Sequence, residues 1–292
     1  VAFAGHLLGL GDDDLSHLLF GMLERLGLPA GDPLGPEHAH LMAEAFGHAF
    51  ADGVTWSGDP AATPELSRVL RSPAYAAERA AAIGPMAAAR PILPGPLDVA
   101  SPATGGTSGT TQVVARDAEG GMAVVITTIG RDFGGGVFVP ELGGFANSAM
   151  GNFDPRPGRA NSIAPGKRPL FGVPALVAVD ATGQAVAACG GSGGWAITSS
   201  VTHAVVNALV HGCSAADAVA LPRVWCEGGA TYADDRLPMA TLAGLRERGH
   251  HVVERRLTPA SEPFARCSLV LARGGTVEAA SDPWWHGAAS VG

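Results

Sequence analysis

Three groups of residues in this 292-residue sequence have types and spacings that can do chemistry. The first is Thr110, which opens the run Thr110-Thr111-Gln112-Val113-Val114-Ala115-Arg116-Asp117 directly behind Gly109. A threonine hydroxyl is a poor nucleophile without a base beside it, and an α-amino group freed by cleavage of Gly109-Thr110 can be that base. Such an amine titrates at about 7.7–8.0, so an appreciable fraction is neutral near neutral pH. In the uncut chain Thr110 lacks this helper, and on sequence chemistry alone Thr-Thr on a strand is better explained by β propensity. The second group is Gly190-Gly191-Ser192-Gly193-Gly194, ahead of a helical pattern. Backbone N–H groups of such a loop, backed by the helix dipole, can hold a phosphate or a developing oxyanion. The run lacks both the Lys-Ser/Thr ending of a nucleotide loop and Gly-x-Gly-x-x-Gly spacing, and a plain strand-to-helix turn is the alternative. The third group is His40, Glu44 and His48 at i, i+4, i+8. Without the tighter His-Glu-x-x-His pattern this spacing reads as a solvated helix face, and no metal site is assigned.

The elements that must position these groups follow from periodicity. Asp12-Asp13-Asp14 caps a helix carrying Leu15, Leu18, Leu19, Met22, Leu23 and Leu26 and ending near Gly27. A second helix follows Pro36, and the alanine-rich stretch 72–89 is helical in pieces. Pro91, Pro94, Pro96 and Pro102 then make an extended linker, ending in Thr104-Gly105-Gly106-Thr107-Ser108-Gly109. From Thr110 the period changes to that of strands. Thr110 to Arg116 and Met122 to Ile129 form one hairpin, and Val173 to Val179 and Ala185 to Cys189 a second. A long helix through Ile197, Val201, Val205 and Leu209, helices around 215–220 and 241–248, and strands near 251–257, 266–272 and 277–280 complete an α+β chain.

Hydrophobic residues make up 47% of the sequence and charged ones 16%, enough apolar material for a sizeable core. The formal net charge of −8, with no basic run beyond Lys167-Arg168 or Arg255-Arg256, argues against nucleic acid or an anionic membrane as partner. A small-molecule or peptide substrate fits better. Cys189, Cys213, Cys226 and Cys267 lack Cys-x-x-Cys or zinc spacing and read as small buried hydrophobes. No cofactor motif is present. No stretch approaches a membrane span of about 18 apolar residues. The chain opens on Val1, not methionine, and the compartment is left open between periplasmic, secreted and cytoplasmic.

The order of several motifs is more specific than any one of them. Ala43-Glu44-Ala45-Phe46-Gly47-His48-Ala49-Phe50-Ala51-Asp52 and Gly58-Asp59-Pro60 precede Thr110-Thr111. Asn161-Ser162-Ile163-Ala164-Pro165-Gly166-Lys167-Arg168-Pro169-Leu170, Gly193-Gly194, Ala220-Leu221-Pro222-Arg223 and Ala280-Ser281-Asp282-Pro283 follow it. With these motifs the chain resembles the γ-glutamyltransferase family of N-terminal-nucleophile enzymes over nearly its whole length. The resemblance implies an αββα sandwich, incomplete in this chain. It divides the chain into residues 1–109, the mainly helical end of a large subunit, and residues 110–292, a small subunit freed by self-cleavage. Thr110 would then carry the acyl group of an amide substrate as an ester, and water or an amine would accept it. Thr128 would hydrogen-bond the nucleophile, and the backbone N–H groups of Gly193 and Gly194 would hold the oxyanion. The family's large subunit extends well upstream of residues 1–109, and its early arginine, a carboxylate ligand, has no counterpart here.

The departures from the family pattern fall on substrate recognition. Gly130 stands where asparagine is usual, Ala149 and Asn152 replace a glutamine and an aspartate that would contact the substrate ammonium, and Phe171-Gly172 replaces a serine pair for its carboxylate. A free γ-glutamyl head group would be held poorly by these residues. Asp154 to Arg159 is too short for the lid of some members, which predicts an open site. The competing expectations are a catalytically inactive relative or fragment with a structural or binding role, and a nucleotide-binding domain using the glycine loop.

Overall fold

The computed structural model describes residues 1–95, 109–256, 264–284 and 287–291. It opens with strands β1 (Ala2–Phe3) and β2 (His6–Gly9). Helix α1 (Asp14–Leu26) follows, with the Asp13 side chain accepting from the Ser16 amide and Gly27 closing it in the left-handed conformation. Helix α2 (Pro36–Trp56) starts on a proline, whose missing N–H costs nothing in a first turn. Two short helices, α3 (Pro64–Leu70) and α4 (Pro73–Ala81), come next. The helical reading of 72–89 therefore holds only as far as Ala81. The linker positions Pro96, Pro102 and 104–108 lie outside the described residues.

The nucleophile candidate opens β3 (Thr110–Arg116), which pairs with β4 (Met122–Thr128) in a register that sets Thr110 opposite Thr128. A small pair, β5 (Phe138–Val139) and β6 (Gly144–Phe145), leads to β7 (Leu176–Val179) and β8 (Ala185–Ser192). Helices α5 (Ile197–Leu209) and α6 (Ala215–Ala220) are followed by β9 (Val224–Cys226), β10 (Thr231–Asp234), α7 (Met239–Glu247) and β11 (Val252–Arg255). Strands β12 (Arg266–Arg273) and β13 (Thr276–Ser281) end the order.

Six strands form an antiparallel sheet in the order β1-β2-β7-β8-β12-β13. Successive residues of a strand face opposite ways, and two glycines of β8 show what lies on each side. A Cβ at Gly191 would meet Ile197 and Val201 of α5, whereas one at Gly190 would sit 2.7 Å from Val124 of β4. Helices therefore cover one face and the β3–β4 hairpin the other. The inner face of the hairpin is half-buried, but Val113 and Val125 on its outer face are 61% and 60% exposed. The α+β class holds, with three of the four layers of the expected sandwich among the described residues. Strand β2, from the first 95 residues, pairs with β7, so both segments of the chain share one sheet and one buried core.

Two sequence expectations change here. Gly190, Gly191 and Ser192 belong to β8 and pair with Ser268, Cys267 and Arg266, so the loop proper is only Gly193-Gly194. The face carrying His40, Glu44 and His48 is buried, not solvated, because α2 runs through the interior between α1, α7 and β9. Cys189, Cys213, Cys226 and Cys267 are free, and all but Cys213 are buried, as small apolar side chains would be. Among the described residues no helix is long and apolar enough to cross a membrane.

Candidate active site

Because β3 and β4 pair antiparallel, the Oγ1 atoms of Thr110 and Thr128 lie 2.8 Å apart. The Thr128 hydroxyl donates to the carbonyl oxygen of Gly109 at 3.1 Å, so the proton between the two threonines comes from Thr110. The Gly130 amide donates to Thr128 Oγ1 at 2.9 Å. The Gly109 oxygen also accepts from the Ile129 amide at 3.1 Å. The carbonyl preceding Thr110 thus has two donors aimed at it, the arrangement that stabilises negative charge on a carbonyl under attack. No titratable side chain takes part in this set among the described residues.

From Thr128 a chain of contacts runs through the other candidates. Gly130 has φ +81°, and a Cβ there would overlap Ser148 Oγ, so the position of Ser148 leaves no room for a side chain here. Ser148 Oγ accepts from the Arg131 amide and donates to the Ile129 carbonyl. Ala149 begins the short helical turn ending at Asn152, whose side-chain amide donates to the Leu170 carbonyl. Asn161, buried, joins both sides by donating to the Asn152 carbonyl at 2.6 Å and accepting from the Leu170 amide at 2.9 Å. Phe171 and Gly172 follow, and a Cβ at Gly172 would lie 2.6 Å from the Trp195 ring. Trp195 neighbours Gly194 and meets Phe50 edge-on at 5.7 Å. Pairwise contacts thus link Gly130 to Ser148, Asn152 and Leu170 to Asn161, and Gly172 to Trp195.

Gly193 has φ +127°, and a side chain there would press on Ala265 at 2.8 Å, so only glycine fits. Gly194 opens the turn that leads into α5. Among the described residues no acceptor takes the amide of either glycine, and no hydrogen bond joins them to Thr110 or Thr128. Ser148 and Trp195 carry no signal in the sequence, and Asn161 stands out there only as the first residue of the motif at 161–170.

The motif charges pair across the chain. Arg168 meets Asp59, whose carboxyl is drawn down to about 2 by hydrogen bonds from the Arg168 amide and guanidinium. Arg223 and Asp282 form an ion pair in which both side chains are 2% exposed, and Arg79 pairs with Asp52. Arg156 grips Asp154 with two hydrogen bonds, at 2.9 and 2.7 Å. Glu44 binds the Arg90 guanidinium and accepts from the Ala88 amide. His40 Nε2 donates to the Gly84 carbonyl, so its Nδ1 accepts from His250 Nε2 at 2.8 Å, and His250 Nδ1 accepts from Thr231. Burial, His40 and the neighbouring arginines push the His250 imidazole down to about 3. The ligand atoms of His40, Glu44 and His250 lie within 4.8 Å of one another, but the Arg90 guanidinium already supplies the cation.

A family model described as Gamma-glutamyltranspeptidase matches residues 15–292. An acylase ACY 1 proenzyme of Pseudomonas sp. (strain SE83) is 39% identical over 219 residues, 73% of this chain and 37% of that protein. A glutathione hydrolase proenzyme of Bacillus subtilis (strain 168) is 28% identical over 78% of this chain and 41% of its own length. The chain thus spans less than half of these curated relatives. Among solved structures, a cephalosporin acylase from Bacillus halodurans superposes with a TM-score of 0.82 at 21% identity, over 99% of this chain and 53% of that one. A gamma-glutamyltranspeptidase from Pseudomonas nitroreducens complexed with L-DON gives 0.53 at 25% identity, over 63% of this chain and 99% of that one. With its matching motif order and fold, the chain belongs to the gamma-glutamyltranspeptidase family.

Proposed function

We propose that these residues are the nucleophile-bearing part of a self-cleaving acyltransferase or amidohydrolase that attacks acyl amides with Thr110. The observation that carries this is the hydrogen-bond set joining Thr110, Thr128 and the Gly109 carbonyl. In the uncut chain, Thr110 Oγ1 adds to the Gly109 carbonyl carbon while Thr128 and the Ile129 amide steady the oxygen. The Gly109–Thr110 C–N bond then breaks, the proton lost by the hydroxyl ends on the departing amine, and water hydrolyses the ester to leave a Gly109 carboxylate. The freed α-amine becomes the base that the uncut site lacks. In turnover, Thr110 attacks a substrate amide and releases its amine, and water or a second amine takes the acyl group from the ester. Gly193 and Gly194 are the proposed oxyanion donors, fitting their unpaired amides.

The proposed division at Gly109 leaves 292 − 109 = 183 residues, about 63% of the chain, the same share that the P. nitroreducens structure covers. The proposed substrates are acyl amides whose head group is not held as an amino acid. Gly130, Ala149 and Asn152 offer no charge to an ammonium, and Phe171, with Trp195 beside Gly172, offers an apolar wall. Full-length protein is expected to run as two bands on a denaturing gel, the smaller starting at Thr110, with Thr110→Ala intact. Wild type that stays intact and matches Thr110→Ala removes self-cleavage. A covalent acyl adduct on Thr110 with glutaryl, simple acyl or γ-glutamyl amides separates an enzyme from an inactive binding subunit.

A further inference from the structure

The substrate-binding candidates Gly130, Ala149, Asn152, Phe171 and Gly172 carry no charge, but Arg266, the first residue of β12, brings a cation to the end of the sheet that bears the glycine loop. Register fixes its position. Arg266 pairs with Ser192, the residue before Gly193-Gly194, and its chain neighbour Ala265 is what a side chain at Gly193 would press against. Alternation fixes its direction. Gln112 Nε2 of β3 donates to Ser268 Oγ at 3.4 Å, so Ser268 faces the hairpin, and Arg266, two residues away on the same strand, faces the same way. Gly190, the strand partner of Ser268, likewise looks toward Val124 of β4.

The direction in which the hairpin lies on the sheet brings Thr110 to the same end. A Cβ at Gly120, in the turn between β3 and β4, would lie 3.8 Å from Oε1 of Gln184, the residue before β8. The turn therefore sits over the start of β8, and the opposite end of the hairpin, with Thr110 and Thr128, points toward its finish at Ser192. Going from Gln112 to Thr110 on β3 and from Ser268 to Arg266 on β12 is the same two-residue step of about 7 Å toward that end. Arg266 thus stands to Thr110 as Ser268 stands to Gln112. Its side chain is half-buried, and burial is the chief influence on the guanidinium, drawing its proton affinity down. The group still keeps its charge, and its planar fork of N–H donors takes a carboxylate through two parallel bonds while repelling an ammonium.

We propose that Arg266 is a specificity-determining residue that binds a carboxylate carried by the amide substrate, so that the preferred substrates are acidic amides such as the monoamides of dicarboxylic acids. This rests on the reading of Thr110 as the nucleophile. The test gives full-length protein three anilides: a glutaryl anilide, its counterpart ending in a neutral carboxamide, and a butanoyl aminobenzoate, which moves the carboxylate to the amine half. Wild type is expected to prefer one of the two acidic anilides over the neutral one by about ten- to a hundredfold in kcat/KM, the range for a hydrogen bond to a charged group, and the one preferred tells which half carries the carboxylate. Arg266→Met is expected to bring that ratio near one, mainly by raising KM for the acidic anilide. Arg266→Lys, which keeps the charge but not the fork, is expected to keep part of the preference and stays readable if the methionine variant misfolds. A wild type that prefers neither acidic anilide, or a preference that both variants retain in full, overturns the proposal. Wild type that turns over none of the anilides removes the acyl-transfer reading instead, and calorimetry with glutarate then decides for Arg266: binding that is lost in Arg266→Met supports its role, and no binding, or equal binding in the variant, overturns it.

Discussion

Replacing Thr128 by valine tests the threonine pair most directly, because the change keeps the shape of the side chain and removes one oxygen. That oxygen donates to the Gly109 carbonyl and accepts from Thr110 and from the Gly130 amide. Loss of one donor to a developing oxyanion costs about 3–4 kcal/mol, a factor of roughly 10²–10³ in rate. The Ile129 amide still reaches the Gly109 oxygen, so cleavage is slowed and not abolished. Thr128→Ser restores the hydroxyl and is expected to cut within about a factor of ten of wild type, the cost of a modest 1.4 kcal/mol misplacement. The assay follows the appearance of the fragment starting at Thr110 by denaturing gel and intact mass, from protein isolated early in expression. Cleavage of Thr128→Val at the wild-type rate, or of Thr128→Ser as slowly as Thr128→Val, would refute the assignment of this hydroxyl to the Gly109 carbonyl.

Asp282→Ala leaves the Arg223 guanidinium buried without its carboxylate, and urea unfolding is expected to show a loss of about 3–5 kcal/mol. A double change to Arg223→Met and Asp282→Leu is expected to lose less than the sum of the single changes. Arg90→Met strips the buried Glu44 of its cation, with a loss of about 3–5 kcal/mol and faster limited proteolysis of the segment around residue 90. Asp13 has its carboxyl pushed up to about 6, chiefly by burial. The folded state therefore holds this proton more tightly than the unfolded chain, and stability falls as pH rises from about 4 to about 6. Asp13→Asn, which keeps an acceptor for the Ser16 amide, is expected to flatten that part of a stability-versus-pH curve measured by thermal unfolding.

The parts of the fold legible in the sequence are those whose signals are local. Asp13 and Gly27 mark both ends of α1, and the turn at 117–121 fixes the register that sets Thr110 opposite Thr128. Strands β1 and β2 are too short to show a period, and β2 gains its partner β7 only through tertiary folding. Strands β9 and β10, of three and four residues, are hidden for the same reason, and β10 pairs in parallel with β11 across α7. The polar stripe of α2 does not show itself as interior in the sequence, because i, i+4, i+8 spacing gives a face but not its surroundings. The partners that make it an interior network, Arg90 and His250, lie 46 and 210 residues away from Glu44 and His40. At the site, the threonine pair was legible because hairpin register is local, while the Asn161 clamp joins positions nine residues to either side through irregular backbone.

The motifs that make the chain resemble its family divide into two kinds when placed in space. In the proposed reaction Thr110 and Gly193-Gly194 offer groups to a reacting carbonyl, whereas the charged motif residues Asp59, Arg168, Arg223 and Asp282 are spent on each other. Asp59 is taken by Arg168 and Asp282 by Arg223. The first of these pairs crosses the proposed cut, binding residues before Gly109 to residues after it, as do the pairing of β2 with β7 and the hydrogen bond from His250 to His40. Cleavage at Gly109 would therefore leave the two pieces held by polar contacts and one shared sheet. The Arg223 guanidinium also donates to the Ala265 carbonyl, and Ala265 is the residue against which Gly193 packs. The Arg223–Asp282 pair thus braces the backbone beside the proposed oxyanion donors. If bracing is its role, variants of the pair that remain folded should lower kcat for acyl transfer more than they raise KM, because the donors act on charge that develops only as the carbonyl is attacked.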